Sequence, residues 1–313
     1  MISNGRAGWN AVTTSNPSAA ANYGTTVPDR SERYERAHEV IQIVQALWGS
    51  WGPEAWLKDV EHNRFADMSQ IQPVNARGRY VASRGPLPIP PSEQGQPVIF
   101  QAGGGAEGLY LAGRYASGVY ANPYDIDSAR AQRALIRDAA ARAGRNPDEV
   151  KMFAGFMPSI AASRRDALDR RQLLDESIDL QQRVDYLGAM VGLHLDFERI
   201  DEPIPAARRG RATANPRDPR SKHALEVVNE GWSVRDVLAH GVIDYHPVVP
   251  GTATDVADFM QEWFEAGACD GFSIAPRTAC TTVWTTSSKV SFLFSSSAVC
   301  FTPSMRTRRF AET

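Results

Sequence analysis

Hydrophobic positions along the chain alternate between short strand-like runs and helical stripes. A strand-like run around Trp9 to Ser15 leads into a loop through Asn16, Pro17 and Gly24. Tyr34, Ala37, Val40, Ile41, Val44 and Leu47 then recur at the spacing of one helix face. Asp29 stands before that stripe and Glu32 three residues on, a capping-box spacing, so the helix is predicted to start at Arg30 and to stop near Trp48 and Gly49. From Trp51 to Gln96 Pro, Gly and aromatic residues break any period. A stretch this long is expected to cover part of the fold rather than simply connect two elements.

Order returns with Val98, Ile99 and Phe100 as a buried strand, Gly103 to Gly105 as a glycine loop, a helix through Leu109, Leu111 and Ala112, and a strand at Gly118 to Ala121. A helix from about Asp127 to Ala143, stopped by Gly144, and a strand at Met152 to Ala161 continue the alternation. Residues 163–196 read as helical, and 201–221, rich in Pro and Arg, as an exposed loop or insertion. The last unit has Gly251 and Thr252, a helix from about Asp255 to Glu265, and a strand at 270–274. Strand, loop, helix, strand in sequence order implies a parallel sheet and the α/β class; a barrel and an open doubly wound sheet both satisfy the pattern.

Composition narrows the function classes. The 313 residues suffice for one large or two ordinary domains, and no apolar run is long enough to cross a bilayer. The first ten residues lack a basic region followed by an apolar one, which makes a cytoplasmic location the expectation. The net charge of -2 hides a boundary: the 37 residues from Arg277 carry five basic side chains, one acidic and 15 Ser or Thr, leaving about -6 on the preceding body. An acidic body argues against a nucleic-acid surface. Three cysteines (Cys269, Cys280, Cys300) without paired spacing offer neither a disulfide scaffold nor a metal cage.

Two places could carry chemistry. Gly103, Gly105 and Gly108 fit GxGxxG between a strand and a helix, where amides can approach a phosphate and the helix dipole favours an anion. Asp125, 17 residues beyond, stands near the position of a ribose-binding acid in a dinucleotide fold, so a nicotinamide-dependent oxidoreductase is one reading; a tight turn without a ligand is another. The second place is Arg30 with Tyr34, four apart on one helix face. A cation in the first turn opposes the helix dipole unless an anion sits there, which makes a phosphate held by Arg30, the Tyr34 hydroxyl and the loop at Gly104 and Gly105 a coherent arrangement. A solvated Arg and a core Tyr are the plainer alternative. Six scattered histidines, Cys269 and the tryptophans at 48, 51 and 56 read more readily as packing or surface groups, and no nucleophile and base can be paired by spacing. Catalytic residues are therefore left unassigned, as in an enzyme whose cofactor carries the chemistry.

Four ordered blocks go further. GRAGWNAVTTSNPSAAANYG, SERYERAHEVIQIVQALWGSW, RGRYVASRGPLPIPPSEQGQPVIFQAGGGAEG and EWFEAGACDGFSIAP together resemble the flavin-dependent monooxygenases of the nitrilotriacetate monooxygenase component A type, a branch of the bacterial luciferase-like superfamily. The resemblance covers about residues 3–276 and implies a luciferase-like TIM (β/α)8 barrel, here incomplete with its first strands missing. It implies reduced FMN supplied by a separate NAD(P)H-dependent flavin reductase, a flavin C4a-(hydro)peroxide formed with O2, and a small organic substrate. It involves neither nucleic acid nor membrane, and relatives commonly form homo-oligomers. The loop from Thr13 to Asn16 would face the flavin.

The phosphate contacts of that family map onto Arg30, Tyr34, Gly104 and Gly105, with two departures. The position of Arg30 is often His in the family, and the position of Gly105 is often Ser. A half-barrel would lack the ring half of the FMN site and expose sheet edges. A non-enzymatic remnant that binds no cofactor is the third reading. Beyond Arg277 the family continues with a segment like GLDDFV, whose codons read one nucleotide later give Val, Trp, Thr, Thr, Ser, as at Val283 to Ser287. Residues 277–313 are accordingly read as a frameshifted or disordered tail.

Overall fold

The computed structural model describes residues 5–175, 178–275 and 298–300. They divide into two compact units, Met1–Tyr120 with Leu135–Lys151, and Ala121–Ala134 with Met152–Thr313.

In the first unit, strand β1 (Gly8–Asn10) is followed by the short helix α1 (Pro17–Ala21), which Asn16 caps by accepting from the amides of Ser18 and Ala19. Helix α2 (Arg30–Trp48) starts where the capping-box spacing places it, with the Asp29 carboxylate accepting from the Glu32 amide at 2.9 Å, and Gly49 closes it. The Trp51 to Gln96 stretch forms two antiparallel hairpins, β2 (Trp56–Asp59) with β3 (Arg64–Ala66), and β4 (Ala76–Arg77) with β5 (Ala82–Ser83). Strands of two to four residues are too short to leave an alternating pattern. The second hairpin turns onto α2: the amides of Arg79, Tyr80 and Val81 donate to the Glu39 carboxylate at 2.8, 2.7 and 3.3 Å, and the Tyr80 hydroxyl donates to Glu35 at 2.7 Å. Those amides, the Tyr80 one foremost, hold the Glu39 carboxyl below its ordinary range.

Strand β6 (Val98–Gln101), helix α3 (Ala106–Tyr115) and strand β7 (Gly118–Ala121) complete the framework. β6 lies between β1 and β7, parallel to both, with Gly8 opposite Val98, Asn10 opposite Phe100 and Phe100 opposite Gly118. Ala11, Ile41, Ile99 and Leu111 are buried together, with Trp9, Tyr34, Ala37, Trp48 and Tyr115 packed against them. Trp9 and Trp48 meet edge to face at 5.8 Å. This core fixes α2 and α3 against the strands, and because β1 and β6 are parallel, the loops that follow them leave from the same edge.

Helix α4 (Ile126–Arg142) leads to the long strand β8 (Lys151–Ile160). In the second unit, 163–196 is two helices, α5 (Arg164–Asp175) and α6 (Leu180–Val191), the latter capped by Asp179. The 201–221 segment carries helix α7 (Ala206–Arg209), buries Ile204, and ends at the buried Ser221, the first residue of α8 (Ser221–Asn229). Helix α9 (Val234–Ala239) follows, and α6, α8 and α9 share a core of Val184, Leu187, Val227, Val228, Val237 and Leu238. Strand β9 (Val248–Gly251), helix α10 (Ala253–Glu265) and strand β10 (Gly271–Ile274) form the last unit, with a reciprocal capping box between Thr252 and Asp255. β8 pairs in parallel with β10 over Phe153 to Phe156 and with β9 over Met157 to Ile160. Strand β11 (Ala298–Cys300) pairs antiparallel with β10. The rest of the Ser/Thr-rich tail lies outside the described residues.

Charges inside the second unit have no counterpart in the hydrophobic pattern. Asp244 forms an ion pair with Arg171 and another with Arg183 at 3.0 Å, and all three side chains are largely buried. His240 is 3% exposed; its Nδ1 faces the Asp236 carbonyl at 2.7 Å and its Nε2 faces Arg164 at 2.9 Å, which fixes the neutral ring as an Nδ1–H donor. Burial, with the Arg164 charge adding to it, lowers the pKa of His240 from 6.5 to about 4. The unfolded chain therefore takes up this proton at a higher pH than the native chain does. Stability should fall as pH drops through this window, at no more than about 1.4 kcal/mol per pH unit. His240→Asn should flatten that part of the curve of denaturation midpoint against pH; an unchanged slope would show that other groups set it.

Candidate functional site

The carboxyl-end edge of β1 and β6 is where the first unit concentrates polar groups. β6 ends at the buried Gln101, whose side-chain oxygen accepts from the Gly103 amide at 2.8 Å and so shapes the start of the glycine loop. Gly105 closes the loop as the residue preceding α3, and no side chain caps the first amides of that helix. α2 delivers Arg30 and Tyr34 to the same loop. A Cβ built at Gly103 would stand 2.8 Å from the Tyr34 hydroxyl oxygen, and one built at Gly105 would collide with the Arg30 guanidinium. Arg30 Nε pairs with the Glu107 carboxylate of the first turn of α3 at 3.0 Å, and the guanidinium lies 5.7 Å from the centre of the Tyr34 ring. Gly104, between the two close approaches, is exposed.

Arg30, Tyr34, Gly104 and Gly105 are thus neighbours, with the cation and the phenol approaching the loop from α2. Two glycines of GxGxxG have a steric reason: Tyr34 and Gln101 crowd Gly103, and Gly108 presses on the Gly103 carbonyl, where an added Cβ would come within 2.6 Å of the oxygen; at Gly105 only the movable end of Arg30 lies where a Cβ would go. The arrangement presents a guanidinium, a hydroxyl and uncapped helix amides to one volume, the donor set suited to a phosphate monoester. Glu107, paired with Arg30, and Gln101, bonded to the Gly103 amide, are neighbours that the spacing along the chain does not reveal. An acid in the first turn of a helix is ordinary for dipole reasons, which hides a role as an arginine partner.

The other candidates are engaged elsewhere. Asp125 accepts from the Ser128 amide at 2.7 Å, an N-terminal cap for α4. Asn16 caps α1, while Thr13 and Thr14 line a hollow of about 330 Å³ with Trp9, Ala37, Val40 and Ile41. Trp48 packs on Trp9, Trp51 donates to the Leu87 carbonyl at 2.8 Å, and the Lys58 ammonium lies 3.7 Å from the centre of the Trp56 ring. His38 meets the Tyr115 hydroxyl at 2.8 Å, and burial together with Arg114 lowers its pKa. Burial pushes the Cys269 thiol up to about 12, away from nucleophilic reactivity. Among the described residues no group of three His, Cys, Asp or Glu could hold a metal, and no helix is long and apolar enough to cross a membrane.

Parallel strands joined through helices, with a glycine loop, a cation and a phenol at the carboxyl end of β6, define an α/β protein whose polar donors are grouped at one sheet edge. The chain belongs to the luciferase-like monooxygenase family, whose profile matches residues 1–269. It is 35% identical over 283 residues to N-acetyl-S-(2-succino)cysteine monooxygenase of Bacillus subtilis, covering 88% of this chain and 63% of that one. It is 29% identical over 284 residues to nitrilotriacetate monooxygenase component A of Aminobacter aminovorans, covering 88% and 61%. Among solved structures, EDTA monooxygenase from Chelativorans sp. BNC1 aligns with a TM-score of 0.68 at 29% identity, covering 90% of this chain and 65% of that one. A riboflavin lyase, solved with modified FMN and riboflavin, aligns with a TM-score of 0.64 at 29% identity, covering 88% and 60%. The fold is that of the luciferase-like TIM barrels. The chain spans about three fifths of the length of these curated relatives, and six of its described strands run parallel to a neighbour, against eight in a closed barrel.

Proposed function

We propose that this chain carries the phosphate-anchoring part of an FMN-dependent monooxygenase acting on a small organic compound. The observation that carries the reading is the meeting of Arg30 and Tyr34 over one glycine loop, the guanidinium against Gly105 and the phenol against Gly103. The Arg30 terminal nitrogens, the Tyr34 hydroxyl and the amides around Gly104 and Gly105 would hold the phosphate of FMN. FMN reduced by a separate NAD(P)H-dependent reductase supplies the activation of O2. The protein's part would be to fix the cofactor by its phosphate tail. The capping role of Asp125 and the family match favour flavin over a nicotinamide cofactor bound at the same glycines. That the relative solved with modified FMN shares this fold supports the choice of flavin.

Titrating the purified chain with FMN and with riboflavin, which lacks the phosphate, tests the reading. FMN should bind more tightly. Tyr34→Phe should weaken FMN binding by about 1 kcal/mol, the net worth of one hydrogen bond, and leave riboflavin binding unchanged. Equal affinities for the two flavins in the unmodified chain would reject the phosphate site.

A further inference from the structure

Helix α2 sends its charges in different directions. Glu35 and Glu39 turn to the second hairpin, where they accept from the Tyr80 hydroxyl and from the amides of Arg79, Tyr80 and Val81. Arg33 and Arg36, three apart and therefore neighbours on the helix surface, turn to the hollow of about 330 Å³ between α2 and the chain that follows β1. Trp9, Ala20, Ala37, Val40 and Ile41 give that hollow apolar walls, and no Asp or Glu lines it. One terminal nitrogen of Arg33 donates to the Thr14 carbonyl at 2.9 Å, while its Nε is buried without a hydrogen-bond partner. Among the described residues neither Arg33 nor Arg36 forms an ion pair. A buried donor left unmatched needs a partner, and an unpaired guanidinium beside apolar walls near a helix N-terminus is offset best by an anion.

We propose that this hollow binds a small organic anion, a carboxylate or sulfonate on an apolar body, with its charge toward Arg33 and Arg36 and its body against Trp9, Val40 and Ile41. An apolar cavity of about 150 Å³ holds one benzene, so the volume here admits a body of about two rings. Thr13 and Thr26 add hydroxyls to the wall beside the arginines. The site is distinct from the glycine loop, since none of Arg30, Gly104 and Gly105 lines the hollow, and it does not rest on the flavin reading. Its signature is a preference for charge: an uncharged molecule of the same shape gains the apolar walls but leaves both guanidinium groups unmatched.

The test is calorimetric titration of the full chain with 2-naphthoate and with 2-naphthalenemethanol, its uncharged counterpart. The acid should bind about ten-fold more tightly or better, the scale of one charge-assisted hydrogen bond, and the preference should shrink as salt is raised. Replacing both Arg33→Gln and Arg36→Gln should bring the two affinities within about two-fold of each other while the alcohol binds as before. Val12 lines the hollow and is 56% exposed, so Val12→Asp places a carboxylate there without disturbing the core. That variant should cost the acid about ten-fold at an unchanged melting temperature, and it keeps the test decisive should the double arginine variant not fold. Saturating FMN should leave naphthoate binding unchanged. Equal affinities in the unmodified chain, a charge preference that survives in Val12→Asp, or displacement of naphthoate by FMN would overturn the proposal. So would a chain that sediments as a dimer, separates on Arg36→Gln and takes up no naphthoate, because a second copy would then fill the hollow.

Discussion

Asp244→Ala is expected to lower the unfolding free energy by about 3–5 kcal/mol, the cost of removing one partner from a buried ion pair. Arg171 is 2% exposed and pairs with Asp244 while its Nε donates to the Ala239 carbonyl at 2.8 Å. Arg183 reaches Asp244 at 3.0 Å and Asp175 at 3.9 Å. Without the carboxylate, Arg171 and Arg183 each lose an ionic partner in a region too buried for water to replace it fully. The neighbouring backbone would lose its anchor as well, since α5 and the segment after α9 are joined through these contacts. Replacing Arg171 by Met in the same variant should recover part of the loss, because it removes one of the two buried charges that lost a partner. A denaturant titration with a loss below about 1 kcal/mol would show that the pair contributes no more than a surface bridge.

Gly108→Ala should have the second large effect, and it acts on the site. An added Cβ would stand 2.6 Å from the Gly103 carbonyl oxygen and 2.7 Å from its carbonyl carbon, and neither is the end of a flexible side chain. The helix or the loop must shift, at about 1–3 kcal/mol for an overpacked contact. Because the same loop faces Tyr34 and Arg30, its displacement should also weaken FMN binding by about ten-fold or more, as expected when the groups that position a ligand are moved. Retained FMN affinity would mean that the ligand is held without Gly103 and its neighbours.

The parts of the fold that could be read from sequence are those whose signals are local. α2 has 19 residues, a capping acid and one apolar face, and β6, the glycine loop and α3 follow one another within a few residues. The hairpins β2–β3 and β4–β5 were hidden because their strands are so short and because Glu39, which holds the second one, lies some forty residues before the amides it accepts. α8 and α9 were hidden in part because the Pro- and Arg-rich stretch before them resembles a solvated loop. The buried charges were unreadable in principle: Arg171 and Asp244 are 73 residues apart, and charged side chains are almost never fully buried unless paired.

At the site, the unfavourable placement of a cation at a helix N-terminus is the feature of the sequence that points to Arg30 and Tyr34 meeting the glycine loop. The partner that aims Arg30, Glu107, gave no such sign. The contact between Arg30 and Gly105 could be seen only once α2 and α3 were side by side.

A crystal structure of the chain soaked with FMN tests the central claim most directly. The account predicts a phosphate within hydrogen-bonding distance of the Arg30 terminal nitrogens, the Tyr34 hydroxyl and the amides at Gly104 and Gly105. A flavin whose phosphate lies elsewhere, with Arg30 and Glu107 unmoved and facing solvent, would contradict it.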